Sequence, residues 1–377
     1  MPGFDVEALR AVEFPLSSEW AYLDHAAVSP MPVRTARVMH ERVSALQDPS
    51  LEHGQREAFA ALARERVGAL LNVQPAQIAL LTNLGEAMSI VANGLEWRTG
   101  DEVVVPEQEF SSLVYPWLNL DRRGVTVVFV AKDGPSTTLN AIERAITART
   151  RVVAVSHVEF LNGFRHDMVG LGELCRQRDV LLAVDATQSL GVLPADARAW
   201  QAGIVAAHGY KWMMAMHGIA ALYVSAAVQD SIRPTVPGRS SVRGGFESLD
   251  FALDWHPDAR RYQSGGPNWI GMAALGASLG IVEEIGIEAA SKQAMDVANR
   301  VTEGVQQIGL EITSDMRSGH RSQIVSFTTG SREDDQHLVN HLKSRNIAVG
   351  LRAKGIRAAA HFWNTAGDAD QLLSEIE

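Results

Sequence analysis

The chain of 377 residues contains a single cysteine, Cys175. One thiol cannot form an intrachain disulfide, and it cannot supply a metal site built from several cysteines. The 12 histidines are scattered, and no pair of them falls at ligand spacing on a predicted helix. The sequence therefore predicts a protein without a bound metal.

Positive charge is also scarce. The chain has 34 Lys and Arg against 44 Asp and Glu, which gives a net charge of -10. A protein that binds nucleic acid needs a basic face to neutralise phosphates. We therefore expect no nucleic-acid partner.

Long apolar runs and nucleotide-binding motifs are missing too. No uninterrupted apolar run approaches the roughly 20 residues that a membrane helix needs. The first residues, MPGFDVEALRAVEF, are acidic early and do not resemble a signal peptide. Neither GxxxxGK[ST] nor GxGxxG follows a predicted strand. We expect a cytoplasmic protein without a membrane partner, and a dinucleotide or P-loop fold is a poor alternative.

The first two thirds of the chain alternate between short apolar runs and helical stretches. Predicted helices cover residues 85–95 and 171–178. Predicted strands cover residues 78–82, 102–105, 125–130, 151–156, 180–185 and 220–224. This alternation predicts an α/β fold with a mainly parallel sheet that is buried on both faces.

The pattern changes after about residue 225. Residues 234–267 are rich in Gly, Ser, Arg and Pro, which is typical of connecting loops. Further helices are predicted from residue 271 into the 280s, at 295–307 and from 368, with strands at 324–327 and 347–349. We predict a smaller α+β domain at 259–377, a large domain at 25–258, and an N-terminal segment, 1–24, that packs with the small domain.

Asp185 ends a predicted apolar strand, where open α/β sheets bind their ligands. A carboxylate at this edge can hold the protonated nitrogen of a pyridine ring, so that the ring accepts electrons from a substrate carbanion. Gln188 follows three residues later and can donate to a phenolic oxygen of such a ring. The plain alternative is that Asp185 only caps a turn.

Lys211 lies 26 residues after Asp185, a spacing that fits one helix and one strand between them. Its neighbours Tyr210 and Trp212 indicate partial burial, which lowers the pKa of an amine and suits it to forming an imine. His208 and Tyr210 can both reach a phosphate. The alternative is an amphipathic lysine that extends from an apolar patch.

A third motif, Thr82-Asn83-Leu84-Gly85-Glu86-Ala87, combines a strand end with a helix start. Free backbone N–H groups and the positive end of the helix favour a phosphate there. Many such turns bind nothing, so this motif carries little weight alone.

Taken in order, these motifs resemble those of the class V aminotransferase-fold superfamily, which includes cysteine desulfurases, kynureninase and isopenicillin-N-epimerase-like proteins. The resemblance covers nearly the whole chain. It rests on Tyr22-Leu23-Asp24-His25-Ala26-Ala27, the Asp185 and Lys211 motifs, Arg357 and His361-Phe362-Trp363-Asn364-Thr365. The resemblance implies a fold type I enzyme that depends on pyridoxal 5'-phosphate, with a large domain built on a mainly parallel, seven-stranded-type sheet. It also implies that Lys211 forms the Schiff base with the cofactor.

The resemblance also implies roles for single residues. Asp185 would pair with the pyridine nitrogen, Gln188 would donate to the phenolic oxygen, and Phe110 would stack on the ring. The phosphate would bind the backbone of Gly85 and Glu86 and the side chains of His208 and Tyr210.

The late part of the chain adds a subunit contact and a substrate contact. Gly266 lies in a loop that in the family reaches the phosphate of the neighbouring subunit, which implies a homodimer with shared active sites. Gly stands there in place of the usual Thr. Arg357 matches the arginine that binds the α-carboxylate of an amino-acid substrate, and Arg352 is the second candidate.

Other departures from the family also fall in the pocket. Met214-Ala215-Met216-His217-Gly218 replaces a Gly-Pro-x-Gly loop, and Leu84 replaces a small or hydroxyl residue. Glu159-Phe160 replaces the Ser-Asn pair of desulfurases, so recognition of the substrate carboxylate is expected to differ.

The type of reaction depends on the cysteine. A desulfurase needs a mobile cysteine in the small domain, whereas Cys175 falls at an apolar position of a predicted large-domain helix. The sequence thus predicts an aminotransferase-type enzyme acting on an amino acid through Lys211. A cysteine-independent C–S or C–C lyase, an amino-acid epimerase and a catalytically silent binding protein stay open as alternatives, and the substrate side chain is not predicted.

Overall fold

The computed structural model describes residues 4–47, 55–244 and 251–377. Its β-strands are β1 Ala21–Tyr22, β2 Ile78–Leu81, β3 Glu102–Pro106, β4 Thr126–Val130, β5 Thr150–Ser156, β6 Leu181–Asp185, β7 Ile204–His208, β8 Ala220–Val224, β9 Glu311–Ile312, β10 Ile324–Thr328, β11 Ile347–Ala348, β12 Gly350–Arg352 and β13 Gly355–Ala359. Its α-helices are α1 Val6–Glu13, α2 Val33–Ala45, α3 Gln55–Leu70, α4 Leu84–Gly94, α5 Ser111–Leu118, α6 Leu139–Ala145, α7 Met168–Gln177, α8 Trp269–Ile285, α9 Ile287–Ile308, α10 Arg332–Ser344 and α11 Ala366–Ser374.

Seven strands form the main sheet, in the order β2-β8-β7-β6-β5-β3-β4. The five strands from β7 to β4 in this order run parallel, and β8 is antiparallel to both of its neighbours. Every residue of β3 and β7 is buried, as expected for strands covered on both faces. The predicted α/β fold with a mainly parallel seven-stranded sheet is confirmed.

Side chains that alternate along the strands supply two separate cores. Val104 and Val184 point to the face covered by α3, α6, α7 and α8. Val103 and Ala183 point to the opposite face, covered by α4 and α5. Because successive side chains of a strand point to opposite faces, valine-rich strands fill both layers at once. Because the five strands run parallel, their carboxyl ends meet at one common edge of the sheet.

A second sheet, in the order β12-β13-β10-β9, is antiparallel throughout. Its buried residues, among them Phe327 and Ile356, form a third core with Val301 of α9 and Leu372 of α11. This is the smaller α+β region that the sequence predicts.

The N-terminal segment contacts this second region. β1 pairs parallel with β11, and Arg10 of α1 donates to both carboxylate oxygens of Asp368, at 2.6 and 3.1 Å. Helix α8 instead packs on α2 and α3 of the large sheet layer. The domain boundaries at residues 24 and 258 stay predictions.

Two strands that position functional residues were not predicted from the sequence. β7, which leads to Lys211, contains two alanines, and alanine is uncommon in strands. β13, which carries Arg357, also contains alanine and follows a tight turn. Both are strands because they are fully buried between other strands, a tertiary effect that local sequence does not show.

Among the described residues no single helix is long and apolar enough to cross a membrane. Helices α8 and α9 reach the length and apolar composition of a membrane span only when they are taken together, and their axes are bent by 85°.

The buried ion pair of Arg10 and Asp368 predicts a stability effect. Asp368→Ala leaves a guanidinium without its partner, since both side chains are under 10% exposed. We expect the free energy of unfolding to fall by about 3–5 kcal/mol in urea denaturation. Asp370→Ala breaks the half-exposed pair with Arg300 and should leave the free energy of unfolding close to that of the wild type. Equal losses in the two variants would contradict the assignment.

Candidate active site

Lys211 and Asp185 lie at the edge where the parallel strands end. Asp185 is the last residue of β6, and Lys211 follows the end of the neighbouring β7 by three residues. Both are buried, at 4% and 6% exposure. The structure therefore brings the two residues into one crevice, as the spacing in the sequence predicts.

Burial dominates the electrostatics of Lys211. It lowers the pKa of this lysine from 10.5 to about 8, against the opposing attraction of Asp185. The positive charges of Arg357 and Arg352 lower it further. A pKa near 8 leaves a useful fraction of the amine neutral and nucleophilic near neutral pH.

Asp185 is held by backbone on both sides of its strand end. Its Oδ1 accepts a hydrogen bond of 2.8 Å from the Thr187 N–H, and its carbonyl accepts one from the His157 N–H. Burial raises the pKa of the Asp185 carboxyl, while bonds from Thr187 and the charge of Lys211 lower it. A buried carboxylate of this kind requires a cationic partner.

Gln188 is fixed between two elements. Its Nε2 donates to the Ala26 carbonyl at 3.0 Å, and its Oε1 accepts from Trp212 Nε1 at 2.9 Å. The amide nitrogen carries a second hydrogen, which keeps one donor for a bound molecule. The side chain is thus oriented before any ligand arrives.

Two phenylalanines line the crevice. The Lys211 Nζ lies 5.4 Å from the centre of the Phe110 ring, and the ring of Phe160 meets Phe110 edge-on at 5.2 Å. Phe110 occupies the N-cap position of α5, and its side chain is only partly buried. Its placement beside the amine fits a ring that stacks on a flat heteroaromatic group.

The predicted phosphate contacts come from two places. Gly85 and Glu86 open α4, where the Glu86 N–H already donates to the Asn83 side chain at 2.8 Å. His208 ends β7 and Tyr210 follows two residues later, and their rings lie 4.9 Å apart. Burial lowers the pKa of His208 to about 4, so this side chain is a neutral hydrogen-bonding group.

Gly266 lies in an exposed loop before α8. Its φ of 57° is in the left-handed region, which favours glycine. Asn268 in the same loop donates to the Gly218 carbonyl at 2.9 Å, which ties the loop to the segment after Lys211.

Arg357 is almost fully buried, at 1% exposure, on β13. It donates to Asp24 Oδ1 at 3.0 Å and to the Phe160 carbonyl at 2.7 Å. Burial lowers the pKa of this guanidinium to about 10, and the charge of Arg352 adds to the effect. Arg352 is more exposed, and its nearest nitrogen lies 3.9 Å from the same Asp24 oxygen.

Sequence reasoning missed two buried glutamates beside Asp185. Glu109 accepts hydrogen bonds of 2.5 Å from the N–H and the hydroxyl of Ser156. Burial raises its pKa well above the usual range, and the charges of Glu159 and Asp185 raise it further. Glu159 contacts His166 at 3.2 Å. The only signal for them was position: Glu109 precedes Phe110, and Glu159 departs from the desulfurase pattern.

Cys175 is far from being a nucleophile. It lies in α7 within a core of the large sheet, at 2% exposure, and burial raises the pKa of its thiol to about 12. The protein therefore has no reactive thiol at the crevice, because this is its only cysteine.

A family model described as aminotransferase class-V matches residues 21–367. The chain belongs to the class V aminotransferase family. It is therefore a pyridoxal-phosphate-dependent enzyme that acts on an amino acid, as the sequence predicts.

Among relatives of this class V enzyme, a probable cysteine desulfurase of Methanothermobacter thermautotrophicus is 30% identical over 388 residues, covering 96% of this chain and 95% of the relative. An apo cysteine desulfurase of Thermococcus onnurineus superposes with a TM-score of 0.88 at 23% identity, over 99% of this chain and 98% of the other. The cystine C-S lyase C-DES with its product cysteine persulfide gives 0.89 at 21% identity, over 97% and 99%. The two structures show the shared fold.

The lowered pKa of Lys211 generates a prediction for cofactor uptake by the class V enzyme. Only the neutral amine attacks an aldehyde, so uptake into the apo protein should accelerate as pH rises and level off above about 8. Stopped-flow absorbance between pH 6 and 10.5 measures the rate. An increase that continues to pH 10 would show an ordinary, solvated lysine.

Proposed function

We propose that the enzyme catalyses an aminotransferase-type reaction in which Lys211 carries pyridoxal phosphate and then moves the proton at Cα of an α-amino acid. The supporting observation is the burial of this amine beside the Asp185 carboxylate, with the Phe110 ring 5.4 Å from its nitrogen. In this proposal the amine and the carboxylate bind opposite ends of one flat cofactor, and the phenylalanine stacks on its face.

The residues of the crevice fit the cofactor chemically. When bound, pyridoxal phosphate withdraws electrons from the Cα of the attached amino acid. Asp185 keeps the ring nitrogen protonated, and the Thr187 N–H keeps the carboxylate in place. Gln188 directs its remaining amide hydrogen to the phenolic oxygen.

The phosphate is bound, in this proposal, by the backbone at Gly85 and Glu86 and by the side chains of His208 and Tyr210. The enzyme works as a homodimer, in which the loop of Gly266 from a second copy completes the same site. The open space around Gly266, where an added Cβ meets nothing within 4 Å, supports a loop that faces another molecule. We place the enzyme in the cytoplasm, without nucleic-acid or membrane partners.

Arg357 binds the α-carboxylate of the substrate, with Arg352 as the second cation nearby. The Nε of Arg357 is buried and has no hydrogen-bond partner among the described residues. A buried donor without an acceptor is costly. A substrate carboxylate supplies that acceptor beside Lys211.

A sulfur-transfer reaction through a cysteine does not fit this enzyme. Cys175 is locked in the core of the large sheet layer. The hairpin of β12 and β13 pairs Arg352 with Gly355, so its turn holds only Ala353 and Lys354. The thiol is buried, and the short turn in the small domain contains no cysteine. A mobile cysteine, which a desulfurase needs, is therefore missing from both places. Transfer of the amino group to a keto acid requires no thiol and only one base at Cα, which Lys211 supplies, so we favour the aminotransferase-type reaction.

Absorbance of the purified enzyme tests the role of Lys211. The holoenzyme should absorb at roughly 400–430 nm, as a cofactor bound to a lysine does. Lys211→Ala should lose this band, because Lys211 is the only buried lysine among the residues that the structure describes. Asp185→Ala should retain part of the band and lose at least about a hundredfold in turnover, since the ring nitrogen loses its proton. Lys292→Ala, on the exposed face of α9, is the matched control.

Transamination itself is measured with a panel of amino acids and keto acids. An amino acid should bleach the visible band, and a keto acid should restore it, with the amino group recovered on the keto acid. A band that shifts with amino acids without ever being restored by keto acids would reject the aminotransferase-type reaction and favour lyase or epimerase chemistry.

Removal of the only thiol provides an independent prediction. Cys175→Ala should leave turnover within about twofold, because the thiol is buried in the core of the large sheet layer. It should cost about 1–2 kcal/mol of unfolding free energy, since it opens a small cavity in a core. A loss of turnover above tenfold in a folded variant would restore a cysteine-dependent mechanism.

A further inference from the structure

Asp24 lies between the two arginines of the crevice. Its Oδ1 accepts from Arg357 Nη2 at 3.0 Å and lies 3.9 Å from Arg352 Nη2. The residue follows β1, and its backbone forms a bridge with Ala359 of β13. The N-terminal segment thereby places one carboxylate directly between two guanidinium groups of the small domain.

The surrounding backbone leaves room for this carboxylate. An added Cβ at Gly350 would lie 2.8 Å from Asp24 Oδ1 and 3.3 Å from the Arg352 guanidinium carbon. A larger residue at this position would therefore push the carboxylate and the two arginines apart. Glycine at the start of β12 allows the three charges to meet.

The three charges add up to a single positive charge. Asp24, Arg352 and Arg357 all act on the pKa of Lys211, so they lie within electrostatic reach of the reacting amine. The next cation on the hairpin, Lys354, donates to Gln108 at 2.9 Å and is directed elsewhere. Glu159, which is buried at the same crevice, adds a negative charge.

We propose that Asp24 is a specificity-determining residue: by neutralising one of two arginines it leaves a site for one carboxylate, so that the enzyme accepts monocarboxylic amino acids and rejects dicarboxylic ones. This inference rests on the proposed function, in which Arg357 binds the substrate carboxylate. The one unpartnered nitrogen of that arginine, Nε, matches one incoming carboxylate.

The rejection has a simple electrostatic cause. A second substrate carboxylate would enter a partly buried site, in which the net positive charge of the three residues is already cancelled by the first. It would face Asp24 without a free cation, and unpaired charges in such places are strongly unfavourable. Discrimination thus arises from a repulsive charge rather than from a better contact with the accepted substrate.

Four proteins vary this charge one unit at a time. Counted over positions 24, 352 and 357 alone, the wild type has a net charge of one, Asp24→Asn has two, Arg352→Gln has none, and the double variant returns to one. Asn keeps the size and the acceptor oxygen of Asp24, so Arg357 keeps its position. L-Alanine and L-aspartate, which differ by one carboxylate, are titrated into each holoenzyme, and the dissociation constants are read from the cofactor absorbance.

The preference for L-aspartate over L-alanine should rise about tenfold in Asp24→Asn and fall in Arg352→Gln, as expected for one charge near a partly buried site. The double variant should return to within about threefold of the wild type. Asp315→Asn, which removes a buried carboxylate paired with Arg317 outside the crevice, should leave the ratio unchanged.

The inference is overturned if Asp24→Asn has the same preference for L-aspartate over L-alanine as the wild type. It is also overturned if the preference of the double variant does not return to that of the wild type. If Asp24→Asn does not fold, Arg352→Gln decides alone, because an unaltered ratio there is equally contradictory. The proposed function fails in a different way: Arg357→Gln would then bind L-alanine as well as the wild type does, or none of the proteins would acquire the cofactor band.

Discussion

A buried amine beside a buried carboxylate is the constraint on which the site depends. Lys211 and Asp185 lie at the ends of neighbouring parallel strands, β7 and β6, whose register pairs Asp185 with Ala206. Neither charge is stable alone in such surroundings, and each moderates the pKa of the other. The two cores on the faces of the sheet hold these strand ends, and a short turn of three residues after β7 carries Lys211 back to the Asp185 carboxylate.

Around this pair the crevice is divided by charge. Asp185 and Glu159 are buried on the side of the parallel sheet. Arg357 and Arg352 come from the antiparallel sheet. An amino-acid substrate has the same polarity, with an amine that reacts at Lys211 and a carboxylate that needs a cation. The second sheet and the N-terminal segment are therefore as much part of the site as the parallel sheet is.

The sequence predicted the parts of the site that follow strand ends. Asp185 ends a continuous apolar strand, and Lys211 is flanked by aromatic residues, so their chemistry was visible locally. The resemblance to class V aminotransferases assigned Phe110, Gln188 and Arg357 to the same site, and the family is confirmed. Their individual roles stay predictions.

Contacts between distant segments were not predictable in the same way. The meeting of Asp24 with Arg357 joins residues 333 positions apart in the chain. The pairing of Glu109 with Ser156 depends on the parallel pairing of β3 with β5, since Glu109 follows β3 and Ser156 ends β5. Short alanine-containing strands such as β7 carry too weak a local preference to be recognised, because burial between neighbours decides their conformation.

The central claim is that Lys211 is the residue to which the cofactor is attached. Borohydride reduction of the holoenzyme makes that attachment permanent, and peptide mass spectrometry then locates the modified lysine. The account predicts one stoichiometric pyridoxyl group on the peptide that contains Lys211. A label on a different lysine, or no label on a protein that has taken up the cofactor, would contradict it.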